Sequence, residues 1–157
     1  MIARYLLLLM GVVLPAWAAT PASPPTFTLE EFAQLKFLVG RWQGKAPDGS
    51  TFHEEYDFPD SHTLRSRRFP DASFTMSNDS STVTWREGVV KSHWGKYSWR
   101  AIEITADRAS FAPENAPSSF SWRRVSADAV EVTQRWKDEA GKEQTYTVPL
   151  KRAVSPQ

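Results

Sequence analysis

The chain has 157 residues, with 19 basic and 18 acidic side chains, a net charge of +1 and no cysteine. This length suffices for one domain of common size. The absence of cysteine excludes a disulfide framework, a lipoprotein anchor and cysteine-based catalysis. The balanced charge argues against strong electrostatic binding of nucleic acid or of an anionic membrane.

The first 18 residues have the pattern of a secretory signal peptide. Arg4 supplies the positive start, and residues 6–14 form an apolar core that is shorter than the about 20 residues needed to span a bilayer. Residues 16–18 form an A-x-A cleavage site. We therefore expect an exported protein, in the periplasm or outside the cell, that keeps no membrane anchor after cleavage.

A short helix is predicted near the start of the mature chain. We assign residues 19–27 to a flexible spacer and residues 28–153 to one folded domain. Thr28 as N-cap and Glu31 three residues later form a capping box. A helix of about two turns is not stable alone, so its apolar face must dock on another element, such as an open barrel end. The residues of that face are Leu29, Phe32 and Leu35.

The remainder of the chain alternates between apolar and polar residues, which is the pattern of β-strands. Turn signals separate the candidate strands, and no crossover helix is predicted between them. Many short strands at this spacing favour an all-β antiparallel sandwich or an up-and-down barrel. Residues 106–118 form the longest irregular stretch and are expected to be either a lid over a barrel mouth or a plain connection. Candidate strands after the first lie at residues 51–58, 64–69, 73–76, 81–86, 89–94, 97–105, 119–125, 129–137 and 143–152.

The same alternation predicts an inner face that is rich in tryptophan and tyrosine and carries a few polar groups. Such an interior fits a ligand cavity and a packed aromatic core about equally well. Buried indole N–H groups need hydrogen-bond partners, which favours a partly wet pocket. The candidate ligand-binding residues are Glu54, Tyr56, Trp85, Trp99, Trp122, Gln134, Trp136 and Tyr146.

The Gly-x-Trp-x-Gly motif at residues 40–44 resembles the first strand of lipocalin-like (calycin) β-barrels. More narrowly, the chain resembles small secreted bacterial lipocalin-like domains of unknown function, through a Gly-containing turn at 48–49, glutamates at 54–55 and a proline-containing segment at 111–117. This resemblance covers nearly all of the mature chain. It implies an antiparallel barrel of about eight to ten strands with a short N-terminal helix.

The resemblance also implies a structural role for the motif tryptophan, and the positions of the histidines argue against haem as a cofactor. In calycins the tryptophan closes one barrel end and an arginine of the last strand covers it, which here would be Arg152 stacked on Trp42. The opening strand is also similar to that of nitrobindin-like haem barrels, whose axial histidine lies near the C-terminus. The only histidines here are His53, His62 and His93. No cofactor is therefore expected.

Two constellations have the residue types for chemistry. His53, Glu55 and Asp57 share one strand face, but alternate residues lie roughly 6.5–7 Å apart, so a solvated polar face is favoured over a metal site. Glu54 and Tyr56 are residue types used by cofactor-free barrel lyases such as phenolic-acid decarboxylases. In the other interpretation, Glu54 forms a structural pair with an interior arginine such as Arg68 or Arg124.

The expected function is non-enzymatic binding of a small apolar or aromatic ligand in the cell envelope. No catalytic residues or metal ligands are assigned. The first alternative is a cofactor-free lyase that uses Glu54 and Tyr56. The second is an envelope interaction or inhibitor module that acts through residues 106–118, with a protein partner that the sequence does not identify.

Overall fold

The computed structural model describes residues 23–153, in which ten antiparallel strands form a closed barrel. Each strand pairs with its neighbours in sequence, and the first strand pairs with the last. The prediction of an all-β antiparallel barrel with a short N-terminal helix is confirmed. The strands are β1 Gly40–Lys45, β2 Thr51–Asp60, β3 Thr63–Phe69, β4 Asp79–Arg86, β5 Val89–Trp94, β6 Tyr97–Ile104, β7 Arg108–Pro113, β8 Ser118–Ser126, β9 Ala129–Lys137 and β10 Glu143–Arg152.

The predicted helix is α1, Leu29–Ala33, and a 3₁₀ helix, Gln34–Leu38, continues it. Both hydrogen bonds of the predicted capping box form: Thr28 N–H donates to the Glu31 carboxylate, and Glu31 N–H donates to Thr28 Oγ1. Phe32 and Leu35 are fully buried. None of the helices within residues 23–153 has the length and apolarity to cross a membrane.

The helix and the motif tryptophan close one end of the barrel, which we call the closed end. Trp42 is fully buried and its indole N–H donates to the carbonyl of Leu38 at 2.7 Å. The guanidinium of Arg152 lies 4.3 Å from the Trp42 ring centroid, and the predicted cover is therefore confirmed. Gly40 has a φ of +123°, which favours glycine, and a Cβ there would displace the Arg152 guanidinium from its place over Trp42.

The boundaries of the predicted segments differ from the structure at the N-terminus. The predicted signal peptide and part of the spacer lie outside the described residues. Within the spacer, Phe27 is buried and belongs to the fold. Its N–H donates to the carbonyl of Gly88, and its carbonyl accepts the indole N–H of Trp85 at 2.7 Å.

The prediction of a long irregular stretch at residues 106–118 is wrong. Strand β7 lies within it and pairs with both β6 and β8. Ala109 and Phe111 of β7 are buried, and only residues 114–117 remain as the connection to β8. Pro113 is the last residue of β7, where a missing N–H costs little. Because proline is typical of loops, Pro113 made the alternating pattern of the preceding residues 108–112 difficult to recognise in the sequence.

The predicted strand at residues 73–76 is also wrong, because these residues belong to the loop between β3 and β4. Phe74 adopts a φ of +53°, outside the strand region. Its ring is nevertheless buried, on the outer surface of the barrel, 5.1 Å from the Phe69 centroid and 5.5 Å from that of His53. The strand prediction failed here because Phe74, a buried aromatic residue of a loop, has the residue type that is typical of a strand.

The outer face of β2 differs in part from the predicted solvated face. His53 is 7% exposed because Phe74 covers it. Glu55 forms ion pairs with Arg41 and Arg67, and Asp57 pairs with Arg65. Among residues 23–153 there is no group of three side chains that could hold a metal ion.

Candidate ligand cavity

A cavity of about 660 Å³ opens at the end of the barrel opposite the helix, which we call the open end. Its mouth is bordered by the start of β4, by Trp94 and by the loops that follow β1 and β7. The volume lies within the range of about 300–1,000 Å³ that is typical of small-molecule sites. The barrel interior is therefore packed at one end and hollow at the other.

Glu54 is the most buried charged group of the cavity, and two neighbours hold it. The barrel register places Glu54 of β2 opposite Arg68 of β3. Arg68 donates through Nη2 to Glu54 Oε1 at 2.7 Å, and Tyr56 donates through its hydroxyl to Glu54 Oε2 at 2.7 Å. Both carboxylate oxygens are thus engaged. Of the two arginines considered from the sequence, Arg68 is the partner.

The Tyr56 hydroxyl is held as a hydrogen-bond donor. Burial raises the pKa of Tyr56 well above its usual value of 10.0, and the charge of Glu54 raises it further. The nearby Trp122 indole and Ser66 hydroxyl act in the opposite direction but do not cancel these effects. At neutral pH the phenol is therefore protonated.

Arg68 connects the buried carboxylate with the mouth of the cavity. Its side chain is 47% exposed, whereas that of Glu54 is 9% exposed. The guanidinium also lies 5.0 Å from the centroid of the Phe52 ring. Burial lowers the pKa of the Arg68 guanidinium, but the charge and hydrogen bonds of Glu54, together with Tyr56 and Asp79, outweigh burial, so the pKa is raised.

One side of the cavity is an aromatic wall, which we define as Trp99, Phe120 and Trp122. The Phe120 centroid lies 5.4 Å from that of Trp99 and 5.0 Å from that of Trp122, both edge to face. Phe111 stacks behind Phe120 at 4.7 Å. The indole N–H of Trp99 donates to the carbonyl of Ser118 at 2.6 Å, so this ring is both packed and satisfied.

Next to the aromatic wall, around the barrel, lies a hydroxyl wall, which we define as Ser66, Ser81 and Ser92 on β3, β4 and β5. Ser66 and Ser81 are register partners, and Ser92 is the register partner of Trp99. Ser92 is 4% exposed, and it lines the cavity together with Ser81. Within residues 23–153 neither of these two hydroxyl groups is a fully enclosed atom without a partner, so both face the cavity. The hydroxyl wall therefore offers polar groups to whatever fills the cavity.

The structure brings together six of the eight sequence-predicted ligand residues. Two lie elsewhere. Trp85 points to the closed end, where it packs 5.4 Å from His62 and bonds to Phe27. Trp136 lies at the end of β9 and is 37% exposed. The six that line the cavity are Glu54, Tyr56, Trp99, Trp122, Gln134 and Tyr146; their role in binding remains a prediction.

The sequence interpretation missed the hydroxyl wall and did not assign Arg68 to the site. The signal was present in β3, where Leu64, Ser66 and Arg68 alternate with the outward-facing arginines. It was obscured because the run of arginines looked like one solvated face. Serines are equally common on either face of a sheet, so only the register identifies those that line a cavity.

Comparisons with known proteins add a fold likeness. No family model and no curated protein matches the chain. A protein of unknown function from the DUF3598 family of Nostoc punctiforme is similar in structure, with a TM-score of 0.49 and 16% identity over 87% of this chain and 53% of that one. The chain thus spans about half the length of the Nostoc protein.

Two further solved barrels are similar. A redesigned beta barrel has a TM-score of 0.36 and 14% identity, covering 76% of this chain and 94% of that one. EF1p2_mFAP2b bound to DFHBI has a TM-score of 0.38 and 14% identity, covering 76% and 96%. These likenesses concern the β-barrel fold and assign no ligand or activity.

Proposed function

We propose that this protein is a lipocalin-like binding protein of the cell envelope, which holds a small apolar or aromatic ligand in its barrel without chemical turnover. The observation that carries the proposal is the open cavity of about 660 Å³, lined by an aromatic wall and by a few polar groups. The lipocalin-like assignment is supported by Trp42 and its Arg152 cover. The envelope location rests on the signal-peptide pattern of the sequence.

Binding is favoured over a lyase reaction by the state of Glu54 and Tyr56. A general base must be within reach of a substrate proton. Here Arg68 and Tyr56 already occupy both oxygens of Glu54, and the Tyr56 phenol stays protonated because its pKa is raised. The interaction-module alternative is weakened since residues 106–118 are mostly strand.

Native mass spectrometry of the mature protein, purified from its own envelope, tests the proposal. We expect a stoichiometric small molecule on the wild-type protein. Trp122→Ala removes part of the aromatic wall and Val132→Trp fills the cavity, so both should lose it. Lys142→Ala, in the loop between β9 and β10, is the control that should keep it. Circular dichroism of each variant establishes that the barrel is folded.

The outcomes separate the candidate functions. A ligand that survives in folded Val132→Trp would lie outside the cavity and contradict the proposal. A wild-type protein that carries no ligand and binds none from an envelope extract would also contradict it. An extract component converted by the wild-type protein but not by Glu54→Gln would favour the lyase.

A further inference from the structure

The cavity has two chemically different sides, and this division restricts its ligand. The aromatic wall lies on β6 and β8, and the hydroxyl wall lies on β3, β4 and β5. In the closed ten-strand order, the two walls meet at the neighbouring strands β5 and β6, and β3 and β8 are five strands apart and therefore face each other. A ligand that fills the space between them meets rings on one side and hydroxyl groups on the other.

Ser92 is the serine of the hydroxyl wall that lies next to the aromatic wall. It is 4% exposed and lies beside the aromatic wall, since its register partner is Trp99. Buried hydroxyl groups in proteins are normally hydrogen-bonded. Within residues 23–153 the Ser92 hydroxyl makes no side-chain hydrogen bond and is not one of the fully enclosed polar atoms that lack a partner, so it faces the cavity and is available to whatever the cavity holds.

The charges that line the cavity disfavour an anionic ligand. They comprise one guanidinium, of Arg68, and two carboxylates, of Glu54 and Asp79. Arg68 already donates two N–H groups, from Nε and Nη2, to Glu54 Oε1. A ligand carboxylate would therefore meet an arginine that is already paired, next to two groups of its own sign, in a partly dry site.

We propose, building on the ligand-binding function above, that the ligand class is a neutral aromatic compound that carries a hydroxyl group. The ring lies against the aromatic wall, and the hydroxyl group bonds to Ser92. Both requirements follow from the geometry: the rings supply stacking surface, and Ser92 supplies a buried donor and acceptor.

Equilibrium dialysis of the mature protein with three matched probes tests this inference. The probes are β-naphthol, β-methylnaphthalene, in which a methyl group replaces the hydroxyl, and β-naphthoate, which is anionic at neutral pH. We expect the wild-type protein to bind β-naphthol at least about tenfold more tightly than β-naphthoate. Ser92→Ala should weaken β-naphthol binding about fivefold, the value of one neutral hydrogen bond, and leave β-methylnaphthalene within about twofold.

Ser121→Ala is the matched control. Ser121 is as buried as Ser92, at 8% exposed, but it lies on the outward face of β8 and does not line the cavity. We expect it to leave the affinities of all three probes unchanged.

If Ser92→Ala and Ser121→Ala behave alike, or if β-naphthoate binds most tightly, this inference is overturned while the binding function stands. If none of the probes binds to the wild-type protein, this inference is overturned, whereas the proposed function is decided separately by the native mass spectrometry described above.

Discussion

The two ends of the barrel use aromatic residues in opposite ways. At the closed end, Trp42 has no exposed surface, its N–H is bonded to Leu38 and its face is covered by Arg152. At the open end, the aromatic wall borders the cavity, and the hydroxyl of the neighbouring Ser92 faces that cavity. Packed aromatic residues whose polar groups are bonded within the protein stabilise the closed end, whereas the polar groups that face the cavity are available to a ligand.

Removing the closed-end tryptophan should produce the greatest loss of stability. Trp42→Ala leaves a large void in a packed region and should lower the free energy of unfolding by about 3–5 kcal/mol. The matched control is Trp136→Ala, at the open end, where the ring is 37% exposed and the loss should stay below about 1 kcal/mol. Urea unfolding followed by circular dichroism measures both.

If Trp42→Ala and Trp136→Ala lower the free energy of unfolding by similar amounts, the proposed difference between the two ends is contradicted. If Trp42→Ala does not fold, Trp42→Phe replaces it. That change keeps a ring in place but removes the hydrogen bond to Leu38, which should lower stability by about 1 kcal/mol plus the effect of the smaller ring.

Arg152 should contribute less to the free energy of unfolding than Trp42, the residue whose ring it covers. Arg152→Ala removes the cation–π contact and the bonds to the carbonyls of Val39 and Ala127, and should cost about 2 kcal/mol. Arg152→Lys should recover only part of this, because lysine keeps the charge but lacks the planar fork. Thermal unfolding compares both with Lys151→Ala, an exposed neighbour that should have little effect. Equal losses in Arg152→Ala and Lys151→Ala would show that the cover does not stabilise the closed end.

Tyr56, which lines the cavity at the open end, should make the free energy of unfolding depend on pH in the alkaline range. Because the pKa of Tyr56 is higher in the folded than in the unfolded state, it contributes stability that is complete below about pH 10. This stability is lost as the pH rises from there towards the folded-state pKa. Tyr56→Phe should therefore flatten the decline of stability above that pH.

Tyrosinate absorbance provides the direct measurement. The difference between the wild-type protein and Tyr56→Phe isolates one of the four tyrosines of the full chain. We expect this signal to appear only with unfolding of the barrel, and Tyr97→Phe serves as the control for the loss of one tyrosine. A Tyr56 signal that titrates near pH 10 in the folded protein would contradict the raised pKa.

Local patterns predicted much of the closed end. The capping box of Thr28 and Glu31 depends on residues three positions apart, and it formed as expected. The Gly-x-Trp motif and the last-strand arginine met because a closed barrel pairs its first strand with its last, where Trp42 and Arg152 are register partners. The prediction failed where a local pattern was misleading, at Phe74 and at the prolines around β7.

The amino-acid sequence alone determined most of the strands and their inner faces, with β7 and residues 73–76 as the exceptions, because side chains of a strand alternate every two residues whatever the rest of the chain does. Only the tertiary structure decided at which height each inner residue lies, since height depends on the register between strands that are distant in sequence. Register placed Trp85 at the closed end, Trp122 at the cavity and Arg68 opposite Glu54. Whether the aromatic interior is a core or a pocket depends on the volume that ten closed strands enclose, and that volume is a property of the whole barrel.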